Sequence, residues 1–486
     1  VGPGGAFRTR PPRNRRVRHP ELASLLSTFY PEFEPSHALV ELTSEKVLSV
    51  SARARESMTA PEPFITPAFF DAACSWLMAN TPIRSDKCST ADVLRSLEPS
   101  SSAGRPFLGT KEAVIGWFEK NHPGGFCALI DEVVEGKADW VPLFTEFMKE
   151  ELRSLLSDGT TKDAHMIWGC DLVSHVVVSR FTKLSDESIY SAANGPGAHI
   201  LNGFVPQHGG WDSLAARLRI DEPGRRFLNL DWNRFNCQMS DQVQSWLQFW
   251  LWESFPEQPE VTPVENDLVV AMHYSWCVAA VKGSVYPLGR LKSGEPQTST
   301  KNSKHAAVTF VAALFAAGLS PDRKPWFDWV VMGDNLLVSF APDLENQLEE
   351  ALFVMKSWGY AYTHQFVGYE DAEFCSHLFR KDGAFWYPLP VRWQKHCSSL
   401  ITPGLDALPE DLYARFANYR CLVCGDPKAD GVICAVAEAY WASRNLMGAV
   451  VESARRVLTA SRRTVLRSVY APGFESDAGG APPVAF

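Results

Sequence analysis

The chain has 486 residues, 45% of them hydrophobic, with 16 tryptophans. That composition excludes a disordered or low-complexity protein and suits two or three subdomains rather than one simple core. The formal net charge is −9, so any nucleic acid has to be held in a local basic channel beneath an acidic outer surface.

Residues 1–20 have the Pro/Gly-rich composition of a linker, made basic by Arg8, Arg10, Arg13, Arg15, Arg16 and Arg18. They read as a disordered leader that touches RNA, a membrane surface or solvent alone, not as a signal peptide. Valine at position 1 fits release from a polyprotein or a trimmed chain. Residues 21–224 alternate helical stretches with Pro/Gly/Ser loops. A strand leading into a Trp-rich helix is predicted over 225–250, and an apolar helix over 267–281 after a Pro/Glu loop. The apolar run 306–319 is too short to span a bilayer and reads as a buried helix. Apolar runs flanking Gly333-Asp334-Asn335 predict a hairpin. A helix over 343–358, ended by Gly359, follows, then a strand pair over 374–393 and a mostly helical stretch over 409–457. The Pro/Gly/Ala-rich tail from 471 reads as disordered, and no internal repeat is visible. Eleven cysteines have no repeating ligand spacing. The lone pair Cys421 and Cys424 therefore reads as buried thiols in a reducing compartment rather than a zinc site.

Chemistry concentrates in three blocks. A carboxylate at a hairpin tip, Asp334, suits a hard cation, which takes oxygen ligands, although such dipeptides are common in plain surface turns. Upstream lies the block Asn229-Leu230-Asp231-Trp232-Asn233-Arg234-Phe235-Asn236. Between the two lies Ser293-Gly294-Glu295-Pro296-Gln297-Thr298-Ser299-Thr300-Lys301-Asn302.

In that order the blocks resemble the palm of a viral RNA-dependent RNA polymerase. The first looks like the aspartate motif followed by a second polar residue. The second is similar to the Ser-Gly-x-x-x-Thr-x-x-x-Asn signature, and Gly333-Asp334-Asn335 occupies the place of Gly-Asp-Asp. The resemblance covers roughly residues 95–400. Ser101 to Pro106, with Ser102, Gly104 and Pro106, looks like the loop that admits template. Lys149 to Arg153 and 162–167 resemble the basic segment lining the nucleotide channel. Phe374-Cys375-Ser376-His377 looks like the primer-grip turn, closest to sobemovirus-like and picornavirus-like positive-strand lineages.

The resemblance implies an α+β right-hand fold: basic disordered leader 1–20, fingers 21–224, palm 225–250, a return to the fingers at 251–284, palm 285–397, thumb 398–470 and disordered tail 471–486. The palm is expected to be a small antiparallel sheet backed by helices. It implies template-directed synthesis of RNA from NTPs for viral genome replication and transcription. Asp231 and Asp334 would hold two Mg²⁺ ions, with Mn²⁺ as the substitute, and Asn335 would support them. Asn236, Ser293, Gly294, Thr298 and Asn302 would read the ribose 2′-hydroxyl, the group that separates RNA from DNA precursors. Ser/Thr/Asn capping of the helix starting near Thr298 is a compatible reading. Lys149, Arg153, Lys162 and His165 would hold triphosphate, with ordinary solvent-facing charges as the alternative. Phe374, Cys375 and Ser376 would meet template and primer. His364 is a candidate proton donor to pyrophosphate or an ordinary surface histidine. Expected partners are RNA template and product, NTPs, and a protein primer or other viral replication proteins, in host cytoplasm, replication complexes or virions. Competing readings are a reverse transcriptase, a DNA-templated polymerase, and an RNA-binding scaffold that has lost catalysis, the last suggested by Asn335, His165 and the absence of a lysine at 359–365.

Overall fold

The computed structural model describes residues 16–33, 37–40, 43–81, 83–107, 109–280, 283–404 and 407–473. Arg8, Arg10, Arg13 and Arg15 of the basic leader, and positions 474–486 of the tail, lie outside the described residues.

The fold is mixed α+β. At its centre is a four-stranded sheet in the order Tyr362–Val367, Arg226–Trp232, Asn335–Phe340, Phe327–Met332, every neighbouring pair antiparallel. Successive side chains of a strand face opposite sides, and both faces of this sheet are covered. Leu228, Leu230, Trp232, Leu336 and Val338 pack against the Thr298–Ala316 and Glu345–Ser357 helices. Phe227, Val330, Leu337 and Val367 face the Gly210–Leu218 helix and the strands between 373 and 390. The sheet therefore reads as continuous apolar runs rather than an alternating pattern.

The apolar run predicted at 306–319 is the inner part of the Thr298–Ala316 helix. Residues Ala306 to Leu314 are fully buried, and Gly318 at φ 74° lies just beyond its end. Each large aliphatic side chain so buried contributes about 1.5–3 kcal/mol. This helix is the keel on which the sheet rests.

The expected helix over 267–281 is not formed as such. The helix is Pro263–Ala271, started by a Thr262/Glu265 capping box with proline in its first turn. Ser275–Val278 is a strand, with Ser275 and Cys277 buried and Trp276 exposed. The strand pairs parallel to Leu143–Met148 in a second sheet, ordered Met166–Cys170, Leu143–Met148, Ser275–Val278, Val285–Leu288. The helix predicted at 343–358 runs Glu345–Ser357 after a short 3-10 turn, with Gly359 at φ 93° beyond it.

The C-terminal part is helical: Pro409–Val423, Pro427–Arg444, Ala449–Thr459 and Arg462–Tyr470. The Pro20–Phe29 helix packs on this unit through Leu22, Ala23 and Leu26, although its place in the chain assigns it to the 21–224 segment. Arg16, counted in the disordered leader, is pinned: its Nε donates to the Thr402 carbonyl at 2.9 Å and its Nη2 to Ser399 Oγ at 3.1 Å. The eleven cysteines are free, with Cys421 and Cys424 buried. Among the described residues no helix is long and apolar enough to cross a membrane.

Candidate active site

The two carboxylates singled out in the sequence meet at one end of the central sheet. Asp231 sits one residue from the end of the Arg226–Trp232 strand and pairs across to Asn335. Met332 and Asn335 close the neighbouring hairpin, leaving Gly333 and Asp334 as a two-residue loop. Gly333 takes φ 63°, the positive value that such loops require at their first central residue. The Trp232 N–H donates to the Asp334 carbonyl at 3.3 Å, which brings the loop backbone against the Asp231 strand. Burial, then the charges of Asp334 and Glu373, push the Asp231 carboxyl up to about 6. These groups repel one another without a cation between them.

Three supports hold the tip. Ser303, on the buried helix, accepts the Gly333 N–H at 2.6 Å. Asn335 Oδ1 accepts the Cys375 N–H at 3.0 Å. Asn229, two residues before Asp231 and so on its face of the sheet, accepts the Glu373 N–H at 3.1 Å and donates to the Asp371 carbonyl at 2.9 Å. Sequence reasoning missed Ser303, Asn229 and Glu373, because only the pairing register reveals which polar residues face the tip.

The Ser-Gly segment lies on the strand Met166–Cys170. Ser293 Oγ accepts the Trp168 N–H at 3.2 Å, and the Gly294 N–H donates to the Trp168 carbonyl at 3.0 Å. A Cβ at Gly294 would sit 2.5 Å from the Trp168 carbonyl oxygen, so glycine is required by close approach. The Thr298 hydroxyl donates to the Lys292 and Glu295 carbonyls at 3.0 and 2.7 Å, closing the loop. It does not cap the helix; Gln297, at φ 66°, holds that position without a side-chain capping bond. Lys301 and buried Glu295 add an ion pair of 2.7 Å across the same loop. Asn236 Nδ2 reaches the Leu291 carbonyl at 3.4 Å, which joins the Asp231 block to this loop. Asn302 Oδ1 is buried and has no hydrogen-bond partner.

The end of the Met166–Cys170 strand receives the loop around Gly104. Gly104 takes φ 68°, and a Cβ there would lie 2.6 Å from the Cys170 carbonyl oxygen. Ser102 Oγ accepts the Gly104 N–H at 3.2 Å, and Pro106 follows Arg105, whose N–H donates to Thr145 Oγ1 at 3.3 Å.

The basic candidates gather around Glu151. His165 Nδ1 lies 2.8 Å from its carboxylate, while Lys149 Nζ and Arg153 Nε each lie 3.9 Å away. Burial would raise the Glu151 carboxyl, but the His165 bonds and Lys149 outweigh it and hold it low. One carboxylate thus orders three side chains. Lys162 is exposed on the adjoining turn.

One expectation changes. Phe374 is fully buried in the layer against the central sheet, so its ring anchors the turn and does not reach a primer. Cys375 and Ser376 form the turn itself, with φ 50° and 63°, and Ser376 is exposed. The Cys375 thiol is pushed up to about 12 by burial, then by Asp334 and Glu373. His364 pairs with Leu230, and so lies on the helix-backed face, opposite Asp231. Burial, then Lys356 of the covering helix, lower its pKa.

Among the described residues no three His, Cys, Asp or Glu side chains form a closed metal cage. Two exposed carboxylates at the same end of the sheet fit Mg²⁺ nonetheless, since that ion binds through one or two carboxylates and completes its shell with water and substrate phosphates.

The sequence matches the family model described as viral RNA-dependent RNA polymerase over residues 43–402. No curated protein matches the chain.

Proposed function

The chain belongs to the viral RNA-dependent RNA polymerase family and is thus an RNA-directed nucleotidyltransferase acting on RNA template and NTPs; from that premise we propose that Asp231 and Asp334 are its catalytic pair. The observation that carries this is the convergence of the two carboxylates at one end of the central sheet, Asp231 paired across to Asn335 and Asp334 in the adjoining two-residue loop.

Asp231 and Asp334 would hold a pair of divalent ions, Mg²⁺ or Mn²⁺. When bound, these favour the 3′-hydroxylate nucleophile and neutralise charge on the departing pyrophosphate. Asn335 holds the hairpin against the Cys375 turn and contributes a neutral oxygen where a further carboxylate would add repulsion. Asn236, Ser293, Gly294, Thr298 and Asn302 form the wall that receives the ribose. Lys149, Arg153, Lys162 and His165 line the triphosphate path. Ser102, Gly104 and Pro106 guide template, and Cys375 and Ser376 flank the primer end.

On this reading the central sheet and its helices are the palm, at 225–250 and 285–397. Segments 21–224 and 251–284 build the fingers and 398–470 the thumb, with the Pro20–Phe29 helix reaching across to the last. The resemblance of the Phe374 to His377 turn favours a positive-strand, sobemovirus-like or picornavirus-like lineage, working in host cytoplasm with other replication proteins.

The test is incorporation of labelled NTP on a short RNA hairpin, with and without a separate primer, in Mg²⁺ and in Mn²⁺. Incorporation that vanishes in Asp334→Ala supports the assignment. RNA binding without any incorporation by the parent chain would replace it with a scaffold.

A further inference from the structure

The central sheet ends in an uncovered strand. Tyr362–Val367 is its outermost member, paired on one side to Arg226–Trp232, and among the described residues no strand lies on its other side. The Asn233 N–H donates to the Ala361 carbonyl at 3.0 Å. Ladder bonds alternate along an antiparallel pair. Thr363, Gln365 and Val367 therefore turn their N–H and C=O groups inward, while Tyr362, His364 and Phe366 turn theirs to the open edge. The register is unbroken from 362 to 367, and the segment contains no proline or lysine. Bulges, prolines and lysines are what keep an edge from pairing, and this edge has none of them.

The side chains beside the edge suit pairing as well. Tyr362, His364 and Phe366 form a row on the helix-backed face, with successive ring centroids 5.8 and 6.0 Å apart. The Glu345–Ser357 helix lies against them, since the Tyr362 hydroxyl donates to the Leu352 carbonyl. The next residue, Phe353, is 73% exposed. Glu349, Phe353 and Lys356 are spaced by four and three residues, which places them on one side of the helix, and all three are exposed. Burial, then Lys356, lower the pKa of His364 while Glu349 opposes them, so both charges lie within reach of the middle of the strand.

This edge is complementary to itself. A two-fold axis through His364 sets two copies of the strand antiparallel, with His364 opposite His364 and Tyr362 opposite Phe366. Each outward residue then exchanges both backbone bonds with its opposite, and the aromatic side chains meet as cross-strand pairs. Glu349 and Lys356 lie on either side of Phe353 along the helix. An axis passing beside Phe353 thus sets each Glu349 against Lys356 of the second copy. One patch supplying both halves of every contact is the pattern of a two-fold interface.

We infer that two copies of this chain associate through the Tyr362–Val367 edge, joining their central sheets into one continuous sheet flanked by paired Glu345–Ser357 helices. The inference goes beyond the polymerase reading and does not depend on it.

The experiment is sedimentation of the full chain over a range of protein concentrations. The parent is expected to be a dimer that dissociates on dilution. Glu349→Lys and Lys356→Glu each set like charges against one another twice across the axis. Each should raise the dissociation constant about tenfold or more. The double variant restores opposite charges and should recover the parent's constant. His364→Pro removes an outward N–H without touching the inner ladder and should leave a monomer. A parent that stays monomeric overturns the inference and leaves the edge to a strand from another protein. A dimer indifferent to His364→Pro, single charge variants that bind like the parent, or a double variant no tighter than the singles would also overturn it. Should His364→Pro fail to fold, the charge variants on the exposed helix face decide alone. Nucleotide incorporation enters none of these readouts, so a chain without polymerase activity leaves the inference standing.

Discussion

The side-chain oxygen of Asn335 is engaged by the backbone N–H of Cys375 at 3.0 Å. The residue after the hairpin tip therefore clamps a turn some forty positions downstream, and an aspartate there could accept the same bond while adding charge.

Asn335→Ala should cost about 1 kcal/mol in denaturant unfolding, because the Cys375 N–H loses its acceptor. Asn335→Asp should keep that stability in the presence of divalent ion and alter the ratio of Mg²⁺ to Mn²⁺ activity. An identical metal profile for Asn335→Asp and the parent would restrict Asn335 to its clamp.

Asp231→Asn and Asp334→Asn should each lower incorporation by about a thousandfold or more, the scale for removing a group that stabilises transition-state charge. In chelator, both variants should melt no lower than the parent, since each relieves repulsion between the carboxylates. Thermal scans with EDTA check the second half; a large loss of Tm would mean that the pair is structural.

The raised Asp231 carboxyl fixes the sign of a pH effect. With a folded value of about 6 against about 3.9 for the unfolded chain, the folded state holds the extra proton between those limits. Metal-free stability contributed by Asp231 therefore falls as pH rises from about 4 to about 6. Asp231→Asn should flatten that part of the profile, measured as unfolding free energy in EDTA. Added Mg²⁺ competes with the proton, so the acid limb of activity should move to lower pH as Mg²⁺ increases.

Gly294→Ala forces a methyl group to 2.5 Å from the Trp168 carbonyl oxygen and 2.7 Å from the Gly169 Cα. Neither is the end of a flexible side chain, so loop or strand must move, at about 1–3 kcal/mol. Incorporation should drop with stability. Normal Tm and normal activity in this variant would show that the loop has another resting place.

His364→Ala should leave the pH–rate profile unchanged, because His364 faces the helix layer rather than the carboxylates. A shifted basic limb would mean that the strand rotates during turnover.

Sequence alone exposed the hairpin, the buried helix and the two aspartates, because each carries a local signature: a glycine-led tip, an unbroken apolar run, a carboxylate in an apolar strand. What stayed hidden was non-local. Phe374 reads as part of a contact motif, yet its ring is consumed by the core. His364 reads as a candidate proton donor until pairing with Leu230 fixes its face. Ser303 and Glu373 have no signature, since their importance comes from register and from chain brought in across long separations. The Ser275–Val278 strand was hidden inside an apolar stretch, because a buried Ser275 beside an exposed Trp276 leaves no alternating polar pattern to read.

The strand Met166–Cys170 carries two glycine-dependent loops, Gly104 against Cys170 and Gly294 against the Trp168–Gly169 backbone. It acts as a common rail. Gly104 meets the Cys170–Asp171 backbone and Gly294 the Trp168–Gly169 backbone, so a shift of this one strand moves both contacts together. Repacking Trp168 from beneath would consequently register at both ends of the rail at once, although that indole is buried and touches neither RNA nor nucleotide in its own right.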